Sequence, residues 1–490
     1  MTQNEQYIMP SCNLLTDYPV QVAVSQEYIA NCKEEIAKVF SQYDIPIEQI
    51  EVSVGPTVSR YEIALAENIK FNNAISITED LESSIETSGV RVFPIYDCHK
   101  IVVEMPNNNP QLVSLRSAIE SKEFIESQYE LPIVIGKTFN DRPVIKDLAK
   151  LPHLVVAGRT GHGKSVALNS IIASLLFKKK PEEIKFVFVD LSMVEFSLYE
   201  TIANQFIAKL PGEQDAIITS PEKGLQTLSS ISKEVNERYN LLRKAKARNI
   251  KEYSKKLYDG LLKPEYGFRE LPYIVVVIDE LADFIMTAGK DVTMQIALIA
   301  QKSRAVGIHL IIATQRPSVN IIDGKIKANF PARIAFRMDS RYESRIVIDD
   351  AGARNLIKSG DMLCRFNEEL ERVQGAYIDT PEIENLVNFI QEQKVVGNPY
   401  VLPEPDKIEI TSQSIYEDLF EECARFVIES GCCSTPMLQR RFGIGYAHAL
   451  RIVERLEKVG IISPADGYKP RTILINSTQL EEILMKLKNI

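Results

Sequence analysis

The 490-residue chain contains no CxxC pair, no internal repeat, no low-complexity tract and no surplus of positive charge. It also lacks a basic leader followed by an apolar core, and no stretch approaches the roughly 18 apolar residues of a membrane span. Each absence excludes a class. The seven cysteines, Cys12, Cys32, Cys98, Cys364, Cys423, Cys432 and Cys433, are odd in number, which does not suit a fully paired secreted framework. They are expected to be reduced thiols, and the chain is expected to be soluble and cytoplasmic. Lys and Arg number 57 against 66 Asp and Glu, a net charge of -9, so bulk charge does not coat nucleic acid and any such contact must come from local patches. Apolar residues make up 45% and charged residues 25%, which excludes disordered, collagenous and coiled-coil classes. At about 150 residues per domain the length predicts roughly three domains.

Three regimes follow one another behind a tail of residues 1–18. Over 19–135 short helical and strand-like patterns alternate: Ser25 to Tyr43 and Leu112 to Ile119 have helical spacing, and Ile50 to Leu65 and Val90 to Val103 read as strands. This α+β segment carries no nameable chemistry. Over 136–395 the compact apolar runs LVVAG, KFVFVD, YIVVVID, HLIIAT and ARIAF are separated by longer helical stretches, the pattern of a buried parallel sheet with helices on both faces. A linker over 396–414, rich in proline and acidic residues, leads to a segment over 415–490 with three helical patterns and a short strand, RTILI.

Gly158-Arg159-Thr160-Gly161-His162-Gly163-Lys164-Ser165 satisfies G-x-x-x-x-G-K-[ST] and lies between the apolar run Leu154 to Ala157 and the helical VALNSIIASLLF. Strand, loop and helix are the context the motif needs. The glycines let backbone N–H groups turn toward phosphate oxygens, and the helix N-terminus adds partial positive charge. Lys164 is expected on the β- and γ-phosphates and the Ser165 hydroxyl on Mg²⁺, so ATP and Mg²⁺ are the expected cofactors. The run Tyr273 to Ile278 ends in Asp279-Glu280, where ligands bind in open α/β sheets. Asp279 suits a Walker-B role on Mg²⁺, mostly through water, and Glu280 suits a general base for the attacking water. A helix N-cap for LADFIM is the alternative use of the pair. The next strand ends in Thr314-Gln315-Arg316-Pro317, making Gln315 a candidate γ-phosphate sensor, or simply part of a turn.

Between Lys302 and Arg345 nine basic residues face three acidic ones, a local excess of +6. This suits a phosphate-contacting face, arginines that cross to a neighbour's nucleotide, or a solvated surface. A second cluster, Arg243 to Lys256, reads as an exposed helix. Near the C-terminus Phe420 to Glu429, Thr435 to Phe442 and Tyr446 to Lys458 read as short helices, the last two joined by GIG, and GYKPRTILI supplies a wing. This is helix-turn-helix spacing, with Arg440, Arg441, Arg451, Arg455 and Lys458 on or near the recognition helix. Winged helices bind DNA or dock proteins.

With these motifs in place, the sequence resembles the FtsK/SpoIIIE family of double-stranded DNA translocases. The resemblance runs through DLAKLPHLVVAGRTGHGKSVALN, LPYIVVVIDELADFIMTAGK, AQKSRAVGIHLIIATQRPSVNIIDGKIKANFPARIAFRMDS, AGARNLIKSGDML and LQRRFGIGYAHALRIVERLEKVGII. It implies an α subdomain over 19–135, a RecA-like P-loop ATPase motor over 136–395 and a winged-helix γ subdomain over 415–490. It also implies a hexameric ring around duplex DNA, ATP-driven pumping in chromosome segregation during cell division, recruitment to the division site and contact with a site-specific recombinase. A neighbour's arginine would complete the ATP site, with Arg304 and Arg345 as candidates. Arg440, Arg441, Tyr446, His448, Arg451, Glu454 and Arg455 would meet DNA. Three departures stand out. Typical members carry an N-terminal membrane domain ahead of the α subdomain, and this chain is expected to lack it. Leu191-Ser192 replaces the usual Pro-Lys, and Ala447-His448 follows Tyr446 where Asn-Arg is usual. The alternatives are another ring ATPase, moving DNA in conjugation or protein in secretion, and a nucleotide-switched DNA-binding regulator.

Overall fold

The computed structural model describes residues 7–19, 24–65, 77–84, 89–289, 291–357, 360–393, 399–405, 412–442, 446–463, 471–476, 479–481 and 483–484, without side chains at a few of the helical positions. The chain divides into two compact units, Met1–Lys407 and Ile408–Ile490.

The first unit opens with an α+β lobe. The helix Gln26–Gln42 starts where the Ser25 hydroxyl accepts the Tyr28 N–H, and it buries Cys32, Ile36, Val39 and Phe40. These pack on an antiparallel sheet of β1 (Ile47–Val54), β2 (Val58–Leu65), β3 (Arg91–Ile95) and β4 (Lys100–Pro106), in the order β1-β2-β4-β3. In β2 the side chains of Tyr61, Ile63 and Leu65 alternate inward, as period two demands. The expected strand over Ile50 to Leu65 is therefore two strands, broken by Gly55 and Pro56.

The rest of the unit is built on one ten-stranded sheet with the order β10-β8-β11-β12-β7-β13-β14-β15-β5-β6. Its strands are β5 (Pro132–Thr138), β6 (Pro143–Asp147), β7 (His153–Ala157), β8 (Ile184–Val189), β10 (Ile217–Ile218), β11 (Tyr273–Ile278), β12 (Ile308–Thr314), β13 (Ala332–Phe336), β14 (Asp361–Phe366) and β15 (Glu369–Gly375). The two-residue β9 (Ala208–Lys209) pairs separately with β16 (Tyr400–Val401). The five apolar runs read from the sequence are β7, β8, β11, β12 and β13, and with β10 they pair in parallel. The remaining four strands are antiparallel, so the sheet is mixed and not wholly parallel as expected. Two tight hairpins cause this. Asn367, at φ +58°, turns β14 into β15, and Asp141, also at φ +58°, turns β5 into β6. β5 runs across the expected boundary at 135 and lies in the large sheet.

The second unit has its own core of Phe420, Cys423, Val427, Leu438, Ile452, Leu456 and Ile461. Its helices are Ser412–Ser430, Thr435–Phe442 and Tyr446–Lys458, the first beginning eight residues before the apolar Phe420 at which the sequence pattern starts. The expected strand RTILI amounts to isolated bridges, Arg471 to Cys433 and Ile473 to Ile462. The turn 443–445 and the wing residues 464–470 lie outside the described residues. No helix among the described residues is long and apolar enough to cross a membrane.

Candidate functional site

Parallel pairing sets the carboxyl ends of β8, β11, β12 and β7 side by side, with Val189 level with Ile278, Ile278 with Ile312, and Thr314 with Ala157. Every functional side chain anticipated in the central segment, other than the two arginines expected to act on a neighbour, leaves the sheet at this edge. The loop Gly158 to Gly163 follows β7, and the helix Lys164–Leu176 starts directly after Gly163. Gly163 has φ +118°, and a Cβ there would come within 2.9 Å of both the Gly360 Cα and the Phe336 ring, so close packing as well as conformation demands glycine. At Gly158 a Cβ would fall 2.5 Å from that of Phe336. The Gly360 N–H donates to the His162 carbonyl at 3.1 Å, tying the segment before β14 to the loop. Gly161 has φ +79° with open space around it.

The Lys164 ammonium donates to the Asp279 backbone carbonyl and to Oδ1, each at 2.8 Å, and both side chains are almost wholly buried. Burial pushes the Asp279 carboxyl up, and Lys164 pulls it down. The ammonium thus rests on Asp279 at the head of the helix, where a phosphate can exchange for the carboxylate. Of the two uses the sequence left open for Glu280, the helix cap is present in the structure. Glu280 Oε1 accepts the Ala282 N–H at 3.1 Å and so caps the helix Leu281–Ala288. The same oxygen accepts the Thr314 hydroxyl at 2.6 Å, while Oε2 accepts the Gln315 N–H at 2.7 Å. The Gln315 side-chain carbonyl in turn accepts the Thr160 hydroxyl, so β11, β12 and the phosphate loop are joined through side chains. Arg159 reaches Asp339 at 2.6 Å, and His162 Nδ1 lies 3.1 Å from the Thr160 carbonyl.

Sequence reasoning missed Asp190 and Glu195. Asp190 ends β8 and is fully buried. Its carboxylate accepts five hydrogen bonds, from the N–H groups of Ser192, Met193, Glu195 and Phe196 and from the Ser192 hydroxyl. The turn it folds places Glu195 so that Oε1 accepts the Ser165 hydroxyl at 2.7 Å. Ser192, standing where a Lys was expected from the resemblance, supplies two of those five donors. The available signal was the one used for Asp279, an acidic residue at the carboxyl end of a buried strand.

Arg159, Thr160, Gly161, Gly163, Lys164, Ser165, Glu195 and Gln315 line a cavity of about 580 Å³, closed by Leu112, Ile357 and Tyr377. That volume suits a nucleotide-sized ligand. Ser165 and Asp279 are oxygen donors of the kind a hard cation takes, and among the described residues no group of three or more His, Cys, Asp or Glu forms a metal cage. A donor set this sparse fits Mg²⁺ that keeps water and phosphate ligands. Neither Arg304 nor Arg345 lines the cavity. Of the residues expected at DNA, Arg440 sits with Ser434, Pro436 and Met437 around a shallow depression. Arg441 lies over Phe426 and Arg455 over Phe420, with the charge 5.4 and 4.7 Å from the ring centres, which ties both to the unit's own core. The side chains of Tyr446, His448, Arg451 and Glu454 lie outside the described residues.

Three family models match in succession: the FtsK alpha domain over residues 9–107, the FtsK/SpoIIIE family over 114–319 and the FtsK gamma domain over 415–476. A protein named DNA translocase FtsK from Chlorobaculum tepidum is 39% identical over 98% of this chain and 60% of its own length. One of the same name from Sporosarcina ureae is 37% identical over 98% of this chain and 61% of its own. The chain thus spans about three fifths of the length of these relatives. Among solved structures, the monomer form of the pCW3 conjugation coupling protein TcpA with ATPγS is similar over 74% of this chain and 98% of its own, at TM-score 0.50 and 24% identity, a likeness of fold.

Proposed function

This chain belongs to the FtsK/SpoIIIE family, and from that premise we propose that it hydrolyses ATP to pump double-stranded DNA. The observation that carries the reading is the meeting of Lys164, Asp279, Glu280 and Gln315 at one sheet edge beside a nucleotide-sized cavity. In this reading the loop N–H groups and Lys164 hold the β- and γ-phosphates once the ammonium leaves Asp279. Ser165, and Asp279 through water, would hold Mg²⁺, which when bound would neutralise phosphate charge. Glu280 takes the proton of the attacking water. Its carboxylate is already aimed by Thr314 and the Gln315 N–H, and Gln315 reports the γ-phosphate to the loop through Thr160. The subunits form a ring, a hexamer by resemblance, with duplex DNA in its pore. The lobe over 19–135 acts as scaffold, the segment 136–395 as motor and 415–490 as a DNA-binding winged helix. The cellular setting follows the family: chromosome segregation at the division site, with a site-specific recombinase as partner.

ATP turnover with and without long duplex DNA, paired with displacement of a triplex-forming strand, tests this. DNA-stimulated hydrolysis with strand displacement is expected. Stimulation without displacement would sink the translocase reading, and no stimulation would favour a motor for another polymer.

A further inference from the structure

We propose that Glu195 is a positioning residue for Mg²⁺, acting through Ser165; this rests on the nucleotide-site reading above. The Ser165 hydroxyl has one proton and two lone pairs. In the structure that proton is committed to Glu195 Oε1 at 2.7 Å, which leaves the oxygen lone pairs free for a cation on the cavity side. A hydroxyl that gives its proton to a carboxylate is also a stronger donor to a metal, the effect by which outer partners tune first ligands. Without the carboxylate the hydroxyl can instead turn its proton into the site.

The placement of Glu195 is built. The backbone N–H groups of Glu195 and of Phe196 both donate to Asp190 Oδ2, at 2.8 and 3.1 Å. Asp190 itself is buried at the end of β8, and Phe196 is anchored in the core. The turn passes through Met193 at φ +63°, a left-handed conformation that costs a non-glycine residue energy and persists only where surrounding bonds enforce it. Met193 and Val194 stand out in solvent at the crest of the turn, so its geometry is not dictated by burying them. What the turn delivers is the Glu195 carboxylate, at the hydroxyl of the residue after Lys164 and on the cavity wall. In this structure the other two carboxylates at the edge are otherwise engaged. Asp279 holds Lys164, and Glu280 is engaged by Thr314, Ala282 and Gln315.

The test is a titration of Mg²⁺ against binding of a fluorescent ATP analogue by the full chain, read as the Mg²⁺ concentration for half-maximal binding. Glu195→Ala should raise that concentration ten- to a hundredfold, the range for loss of an outer partner. Binding of the analogue in excess chelator should stay within about threefold of the unaltered chain. Glu195→Gln, whose amide oxygen still accepts the Ser165 proton, should recover most of the loss. In a Ser165→Ala background, Glu195→Ala should have no further effect. An unchanged Mg²⁺ requirement in Glu195→Ala, a Gln variant as poor as Ala, or full additivity with Ser165→Ala would each overturn the inference. Failure of the unaltered chain to bind the analogue at all would overturn the nucleotide-site reading beneath it.

Discussion

Glu280 caps a helix and is proposed as the general base, and substitutions can separate the two roles. Its carboxylate accepts three donors: the Ala282 N–H at 3.1 Å, the Thr314 hydroxyl at 2.6 Å and the Gln315 N–H at 2.7 Å. The first is a helix cap, worth about 1 kcal/mol; the other two hold the carboxylate against the end of β12, beside Gln315, which lines the cavity. Glu280→Asp keeps a good capping residue but draws the carboxylate back by one carbon–carbon bond, roughly 1.5 Å. A displacement of about 1 Å in a reacting group costs on the order of a hundredfold. Glu280→Gln keeps the length but removes the basicity, forfeiting the 10²- to 10⁴-fold typical of a positioned base, about 3 to 5 kcal/mol of barrier. The amide also turns a donor toward either Thr314 and Ala282 or the Gln315 N–H, so the fold loses about 1 to 2 kcal/mol. The expectation is therefore graded, with the Gln variant falling further in both assays. Glu280→Asp, which keeps the cap but loosens the Thr314 and Gln315 bonds, should melt slightly lower and hydrolyse ATP at least a hundredfold more slowly, while Glu280→Gln should melt a few degrees lower and hydrolyse more slowly still. Both should bind nucleotide nearly normally. Steady-state phosphate release, nucleotide titration and thermal melts measure all three. Turnover by Glu280→Asp within threefold of the unaltered chain would refute the general-base assignment and leave Glu280 a capping residue.

Gly163→Ala, with its Cβ within 2.9 Å of Gly360 and Phe336, should weaken binding of the fluorescent ATP analogue more than tenfold, while Gly161→Ala, at a position with open surroundings, should cost less. Burial holds His153 down to about 3 and His309 to about 4, so both are neutral in the fold while the unfolded chain takes up protons below pH 6.5. Their stability is thus complete above pH 6.5 and shrinks as pH falls toward 4. His309→Phe, which keeps a ring against Tyr273, should lessen the loss between pH 7 and 5 by about 2 kcal/mol in urea unfolding; an unchanged loss would refute this. Arg372, buried, pairs with Asp361 at 2.6 Å and Glu104 at 3.1 Å, so Arg372→Met should cost about 3 to 5 kcal/mol in the same assay, and a cost below about 1 kcal/mol would contradict that account.

The central strands were legible because a strand buried on both faces reads as a near-continuous apolar run rich in Val, Ile and Leu, and Leu154 to Ala157, Tyr273 to Ile278 and Ile308 to Thr314 are such runs. The phosphate loop was legible because its chemistry dictates both spacing and glycine. The antiparallel half of the sheet was not. Arg365, Glu369, Glu371 and Arg372 interrupt β14 and β15 with charge, and the partners that make such residues tolerable come from far along the chain, as Glu104 on β4 does for Arg372. Glu195 was missed for a related reason. Nothing in the spacing of Ser165 and Glu195 links them; the turn that joins them is folded by Asp190, whose meaning appears only when β8 lies beside β11.

Charge shows the same limit of linear reading. The +6 between Lys302 and Arg345 counts only acids inside that window, whereas three of its cations pair with acids outside it. Arg316 faces Asp283 at 3.7 Å, and Lys327 and Arg333 share Asp349, each at 2.8 Å. A fourth pairing draws in Arg159, which takes Asp339 at 2.6 Å from within the window and thereby removes one of its three neutralising acids. What remains is spread unevenly. Lys302, Arg304, Lys325, Arg337 and Arg345 make no salt bridge with the described residues, and Arg304 and Arg345 are exposed. Arg304 precedes β12, at the end of the strand opposite to Gln315. Seven residues of strand at about 3.3 Å each set it roughly 20 Å from its own phosphate loop. An arginine so placed cannot reach the nucleotide of its own chain. If it serves one at all, it serves a nucleotide bound to another copy, and the acidic balance of the whole chain has no bearing on that local geometry.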